Sequence, residues 1–153
     1  MDMKDIMLKI TGSQFEGDKP QDRMEFVTEG KMYEGEEGST CLEYDESEFS
    51  GFPGCKTSLT LKGDYVKMQR KGENLQEGTV MEFQSGKRFT SKYDTPFGIM
   101  DMEILTDKVD NTLDETGNGH VNIDYHVSLD GAVAGRNELR IEVTAPAAEE
   151  TEN

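Results

Sequence analysis

Between positions 119 and 129 the residues Val121, Ile123, Tyr125, Val127 and Leu129 are apolar, while Asn122, Asp124, His126 and Ser128 are polar. Successive side chains on a strand point to opposite faces, so such a segment is dry on one side and wet on the other. The same beat runs along most of the chain. Segment 5–11 puts Ile6, Leu8 and Ile10 on one parity, and 23–29 sets Met24, Phe26 and Thr28 against Glu25, Val27 and Glu29. Segment 39–45 turns Leu42 and Tyr44 inward, 56–62 turns Thr57, Leu59 and Leu61, and 65–71 turns Val66, Met68 and Arg70. Met81 and Phe83 share the inner face of 79–84. Segment 87–93 follows, then one with Met100, Met102, Ile104 and Thr106 inward, and a last one at 137–144.

Turn chemistry separates these segments. Residues 12–22, with Gly17 and Pro20, read as a polar turn region, and Gly30 as a bend or bulge at a barrel corner. Residues 34–38 form a hairpin loop, Gly63 and Asp64 a two-residue turn, and 114–119 and 130–131 Asp/Asn/Gly connections. Pro96 has no amide proton and marks a strand start or edge. The longest irregular loop, 45–54, carries Phe49 and Phe52, which either plug a barrel end or cover its mouth. No helical period persists. Roughly nine or ten strands with short turns give an all-β fold, a closed antiparallel up-and-down barrel of about 8–10 strands. Such a barrel is either filled by side chains or holds one small ligand. Residues 1–144 read as the single barrel domain and 145–153 as a disordered acidic tail.

Composition narrows this further. Of 153 residues 33% are hydrophobic, and the mean hydropathy is -0.73. That is enough apolar material for one dry face per strand and too little for a doubly wound parallel sheet. Thirty-two acidic residues against sixteen basic ones leave a net charge of -16. Such a field repels phosphate backbones and anionic membranes, so neither nucleic acid nor membrane is expected as a partner. The first ten residues alternate and carry charges, unlike a signal peptide, and no stretch approaches the ~20 apolar residues of a span. A cytoplasmic location is expected. In a hairpin of 40–46 with 56–61, Cys41 faces about Thr60 and Cys55 faces about Glu46, which separates the sulfurs by more than ~10 Å. Both are expected as free thiols.

The run Val66-x-Met68-x-Arg70-x-Gly72, then Met81-x-Phe83-x-x-Gly86, then Tyr93-x-Thr95-Pro96-Phe97-Gly98, with Ile123-x-Tyr125 later, resembles the YwiB family of small bacterial proteins. The resemblance extends over most of 5–144. It implies a calycin-like barrel, related in shape to lipocalins, in the cytoplasm of a Gram-positive type of bacterium. It implies no activity. The loop at 46–54 and the acidic tail are peculiar to this chain.

Among candidate chemical groups Arg70 stands out, because its parity aims a permanent charge with five donors into the barrel or at its rim. It is either an anion site or a structural closure that bonds loop carbonyls while its stem packs on aromatics such as Tyr93. Lys67, Lys71, Lys87, Arg88 and Lys92 gather positive charge on neighbouring strands, and read as partners of nearby acids on a wet face. His120, Asp124 and His126 share a solvent-facing parity, with the imidazoles about 20 Å apart, too far to hold one metal. The 114–119 segment mimics the opening of a calcium loop, but Tyr125 stands where the bidentate Glu belongs, so a turn is expected. No phosphate loop, dinucleotide glycine pattern, nucleophile elbow or zinc spacing is present.

The expectation is therefore a non-enzymatic protein without cofactor or metal, monomer or homodimer, that takes a small, partly apolar or anionic ligand in the barrel. The expected lining is Met24, Phe26, Tyr44, Met68, Arg70, Phe83, Tyr93, Met100, Met102 and Tyr125, whose methionines make an adaptable wall. The alternative is a fully packed barrel serving as a protein-interaction module, with an enzyme third.

Overall fold

The computed structural model describes residues 3–16, 18–46, 54–72, 78–95 and 98–146, less the side chains of 94, 95, 133 and 134. Ten strands follow in order: β1 (Lys4–Glu16), β2 (Lys19–Glu34), β3 (Thr40–Asp45), β4 (Cys55–Lys62) and β5 (Tyr65–Gly72). After them come β6 (Thr79–Gln84), β7 (Arg88–Thr95), β8 (Gly98–Asn111), β9 (Gly119–Leu129) and β10 (Ala132–Thr144). Among the described residues the one helical element is a 3₁₀ turn at Glu36–Gly38. All pairings are antiparallel, and the sheet order is β6-β5-β4-β3-β2-β1-β10-β9-β8-β7.

This is an up-and-down barrel, nearly closed. The first and last strands pair with each other, Met7 opposite Thr144 and Phe15 opposite Arg136, and the seam falls between β6 and β7, which are consecutive in the chain. The turn between them is drawn onto β8 instead. Gly86 N–H donates to Thr106 O at 2.9 Å and Thr106 N–H to Lys87 O at 3.0 Å. Across the seam the Tyr65 and Phe89 rings meet edge to face, 6.3 Å between centroids.

The two-residue beat is realised on most strands where it was read, although Met24 of β2 is exposed. Ile6, Leu8 and Ile10, Leu42 and Tyr44, Leu59 and Leu61, Val66 and Met68, Phe83, Met102 and Ile104, and Val121 and Ile123 are all buried. Thr57 and Thr106 sit fully buried among them. Val27, on the opposite parity of β2, is exposed.

Three local features differ from the sequence reading. Residues 12–22 are not a turn region: β1 runs on to Glu16 and β2 begins at Lys19, so the hairpin is a long arm. Its polar side chains hide a strand because its inner face meets open lumen rather than core. Pairing to β10 and the Arg136 guanidinium over the Phe15 ring, 4.1 Å from its centroid, hold the arm. Gly30 lies in regular register opposite Ile6 and is no bulge. Close approach requires it, since a Cβ there would stand 2.7 Å from Glu43 O and from Leu8 Cδ1. The bulges lie elsewhere, among them one in β8 between Thr106 and Lys108, which carries β8 to Asn111 and returns Val109 to the core after Thr106.

The thiols are placed as the register argument requires. Cys41 stands opposite Thr60, Glu46 N–H donates to Cys55 O at 2.8 Å, and both cysteines are free. Phe49, Phe52, Pro96, Phe97 and the tail from 147 lie outside the described residues.

Candidate functional site

Among the described residues, side chains fill the barrel at one end and leave a cavity towards the other, and the inward positions of single strands record the change. Along β9, Val121 and Ile123 are buried, whereas Tyr125, Val127 and Leu129 are only partly so. Along β1, Ile6, Leu8 and Ile10 give way to Gly12 and then to the exposed Gln14. Along β10, read backwards, Val143 and Ile141 give way to Leu139 and Asn137. Large aliphatic side chains fill the first half. Glycine, amide and longer, thinner side chains leave the second half vacant.

That half holds a cavity of about 420 Å³, within the ~300–1,000 Å³ range of small-molecule sites. One wall is apolar: Met68, Met81, Phe83, Tyr93, Met102, Tyr125, Val127 and Leu129, from β5 to β9, with Leu139 of β10. The facing wall is polar, built by Gly12, Ser13 and Gln14 of β1, Asp22, Arg23 and Met24 of β2, and Asn137 and Glu138 of β10. Phe83 forms part of the floor and stacks edge-on against Tyr125, 4.9 Å between centroids. Burial pushes the Tyr125 phenol up to about 12, so it is a neutral donor at physiological pH.

Of the expected lining, Met24, Met68, Arg70, Phe83, Tyr93, Met102 and Tyr125 do surround this cavity. Three residues stand elsewhere. Phe26 and Tyr44 pack against each other beside the core, 6.2 Å between ring centroids. Met100 pairs with Tyr93 near the β7–β8 turn and stays off the wall. Parity places a side chain on the inner face but not at a height along the barrel axis, and height decides whether it meets core or void.

Arg70 reaches this wall with its side chain 14% exposed, and its Nε lies 3.4 Å from Glu46 Oε2. The Glu46 carboxylate is buried, its side chain 1% exposed, and it accepts a hydrogen bond from Thr57 Oγ1. Tyr44 stands beside it, its phenol pushed up by burial first and by the Glu46 charge second. The inward guanidinium thus has a buried carboxylate beside it. Glu46 was read as loop, yet it continues the parity of Leu42 and Tyr44 one step beyond β3. That step was the signal for it.

The remaining candidates are local. His126 Nδ1 lies 3.1 Å from Asp107 Oδ2, the bulged residue of β8, and His120 Nε2 lies 3.5 Å from Asp110 Oδ2. Partial burial, then Glu138, raises the Asp124 carboxyl above the usual range. Of the basic group, Arg88 pairs with Glu103 at 2.6 Å, Lys92 with Asp101, and Lys67 stands opposite Glu82. The calcium-loop mimic is an Asx turn: Asp114 Oδ1 accepts from Thr116 N–H at 2.9 Å and Asn118 N–H at 3.2 Å, and the Thr116 hydroxyl holds its carboxyl below the usual range. Among the described residues no group of three His, Cys, Asp or Glu side chains could hold a metal ion, and no helix is long and apolar enough to cross a membrane.

Comparison with known proteins agrees with this architecture. The crystal structure of the ywiB protein from Bacillus subtilis superposes with a TM-score of 0.76 over 95% of this chain and 94% of that one, at 21% identity. At that identity the likeness shows a shared fold. Among curated proteins none matches. The model of the family described as Domain of unknown function (DUF1934) matches residues 8–141, the whole barrel from the first core strand to the last, and the chain belongs to that family.

Proposed function

We propose that this barrel is a non-enzymatic binding protein, cytoplasmic, that takes a small, partly apolar molecule into its open half. The observation that carries the reading is the half-filled lumen. A barrel meant only to be solid would continue the Val121–Ile123 pattern to the far rim, whereas here a void of about 420 Å³ is kept between an apolar wall and a polar one. Four methionines, Met24, Met68, Met81 and Met102, line it, and their flexible thioethers adapt to a ligand of loose shape. Free Cys41 and Cys55 suit a reducing compartment.

Native mass spectrometry of freshly purified protein tests this. A retained molecule of a few hundred daltons, lost on mild denaturation, is the expected result. A spectrum with the bare polypeptide mass alone, together with no binding of any neutral aromatic probe, would overturn the reading and leave the outer surface as the working part.

A further inference from the structure

We infer that the cavity selects an uncharged amphipathic molecule, because Glu46 neutralises the guanidinium that Arg70 turns into its wall. This rests on the binding role proposed above and adds the class of ligand. An inward arginine in a pocket of low dielectric ordinarily selects carboxylate or phosphate, which its donors match in geometry. Here that charge is already met by a carboxylate 3.4 Å away, whose same oxygen also accepts a hydrogen bond from Thr57 Oγ1. An incoming anion would have to sit beside Glu46 and share its cation, and like charges placed together inside an interface are strongly disfavoured.

Of the other ionic groups on the lining, Arg23 and Glu138 have partners of opposite charge, while Asp22 adds a further negative charge. Arg23 lies 3.5 Å from Glu25, and Arg136 lies 3.1 Å from Glu138. The net charge of -16 adds a long-range field that repels anions at the mouth. Apart from Asp22, what remains for recognition is neutral. Ser13, Gln14 and Asn137 on one side offer hydroxyl and amide groups, opposite the methionine and aromatic wall. The fitting ligand has an apolar body of ring or chain and an uncharged hydrogen-bonding head.

Two fluorescent probes that share an aromatic frame, N-phenylnaphthylamine and its sulfonated relative anilinonaphthalene sulfonate, differ by one negative group and test this directly. The wild type should bind the neutral probe at least about tenfold more tightly than the sulfonate. Glu46→Gln keeps the shape and an acceptor for Thr57 while uncovering Arg70. It should tighten the sulfonate by about tenfold and leave the neutral probe within about threefold. The sulfonate bound by the variant should be displaced by the neutral probe, which separates cavity binding from adsorption to loosened protein. A wild type that binds both probes equally, or prefers the sulfonate, overturns the inference and leaves the binding role standing. So does a folded Glu46→Gln protein with an unchanged ratio. If neither probe binds the wild type, the binding role falls and this inference with it. Should Glu46→Gln fail to fold, the wild-type ratio alone decides.

Discussion

Gly12 offers the sharpest test of the half-open barrel. It lies in β1 between Met24 and Leu139 in register, on the inner parity set by Ile10. A Cβ built there meets nothing within 4 Å, and the backbone needs no positive φ. Gly12→Phe therefore adds a side chain that points into void. Seven carbons at interior packing density occupy roughly 130 Å³, which would reduce the 420 Å³ to about the lower limit of a small-molecule site. Stability should rise at the same time. Removing a strand glycine contributes about 0.5–1 kcal/mol, and burying about 100 Å² of ring adds about 2.5 kcal/mol. A gain of about 3 kcal/mol corresponds to a melting point higher by about 6–12 °C for a chain of this size. Thermal unfolding and titration with a neutral naphthylamine probe, run side by side, read both effects. The reasoning predicts a more stable protein with a weakened probe site. A lower melting point, or unchanged probe affinity, would refute the placement of the void beside Gly12.

Other outcomes follow from the same geometry. Arg70→Met strands the buried Glu46 carboxylate and should cost about 3–5 kcal/mol in chemical denaturation, whereas the double change Glu46→Gln/Arg70→Met should recover most of that loss; equal losses in both would show that the pair is not coupled. Gly30→Ala drives a Cβ against Glu43 O and Leu8 and should cost about 1–3 kcal/mol, read as a shifted urea midpoint with unchanged slope. Phe83→Ala, from a fully buried site, should cost about 3–5 kcal/mol, measured the same way. Tyr125 and Tyr65 are held up to about 12, Tyr125 by burial and Tyr65 by burial and then its bond to Glu82. Because the folded form keeps these protons more tightly than the unfolded chain, their contribution is full below pH ~10 and lost as pH rises towards 12. Ultraviolet titration of the wild type against Tyr125→Phe and Tyr65→Phe should show these two phenols ionising late and together with unfolding, and their ionisation at pH ~10 in a still folded protein would contradict it.

Much of the fold was legible because alternation is a property of the strand itself. Ile6, Leu8 and Ile10, or Val121 and Ile123, declare their face with no knowledge of a partner. What escaped depends on height along the barrel axis, which no local pattern encodes. Gly12 and Gln14 read as a turn region, and Asn137 as the plain start of a strand, until neighbouring strands are seen to carry them round a void. Glu46 was legible in principle, two residues beyond Tyr44 on the same parity, but a carboxylate at that step reads as loop unless Arg70 and Thr57 are known to face it. The β8 bulge was hidden for a related reason. Asp107 and Lys108 are both polar, so the parity change that restores Val109 has no hydrophobic marker of its own.

The pairing of β1 with β10 governs how such a chain can be assembled. Those two ribbons are the first and last strands of the barrel, so during synthesis β1 waits, one flank bare, until the rest of the barrel has left the ribosome. Contacts so distant in sequence form slowly, and an uncovered edge with Ile6, Leu8 and Ile10 on its greasy side invites pairing with a stranger. The charges on its outer face, Asp5 and Lys9, are then what keeps the unfinished product apart from its siblings while it waits to be sealed.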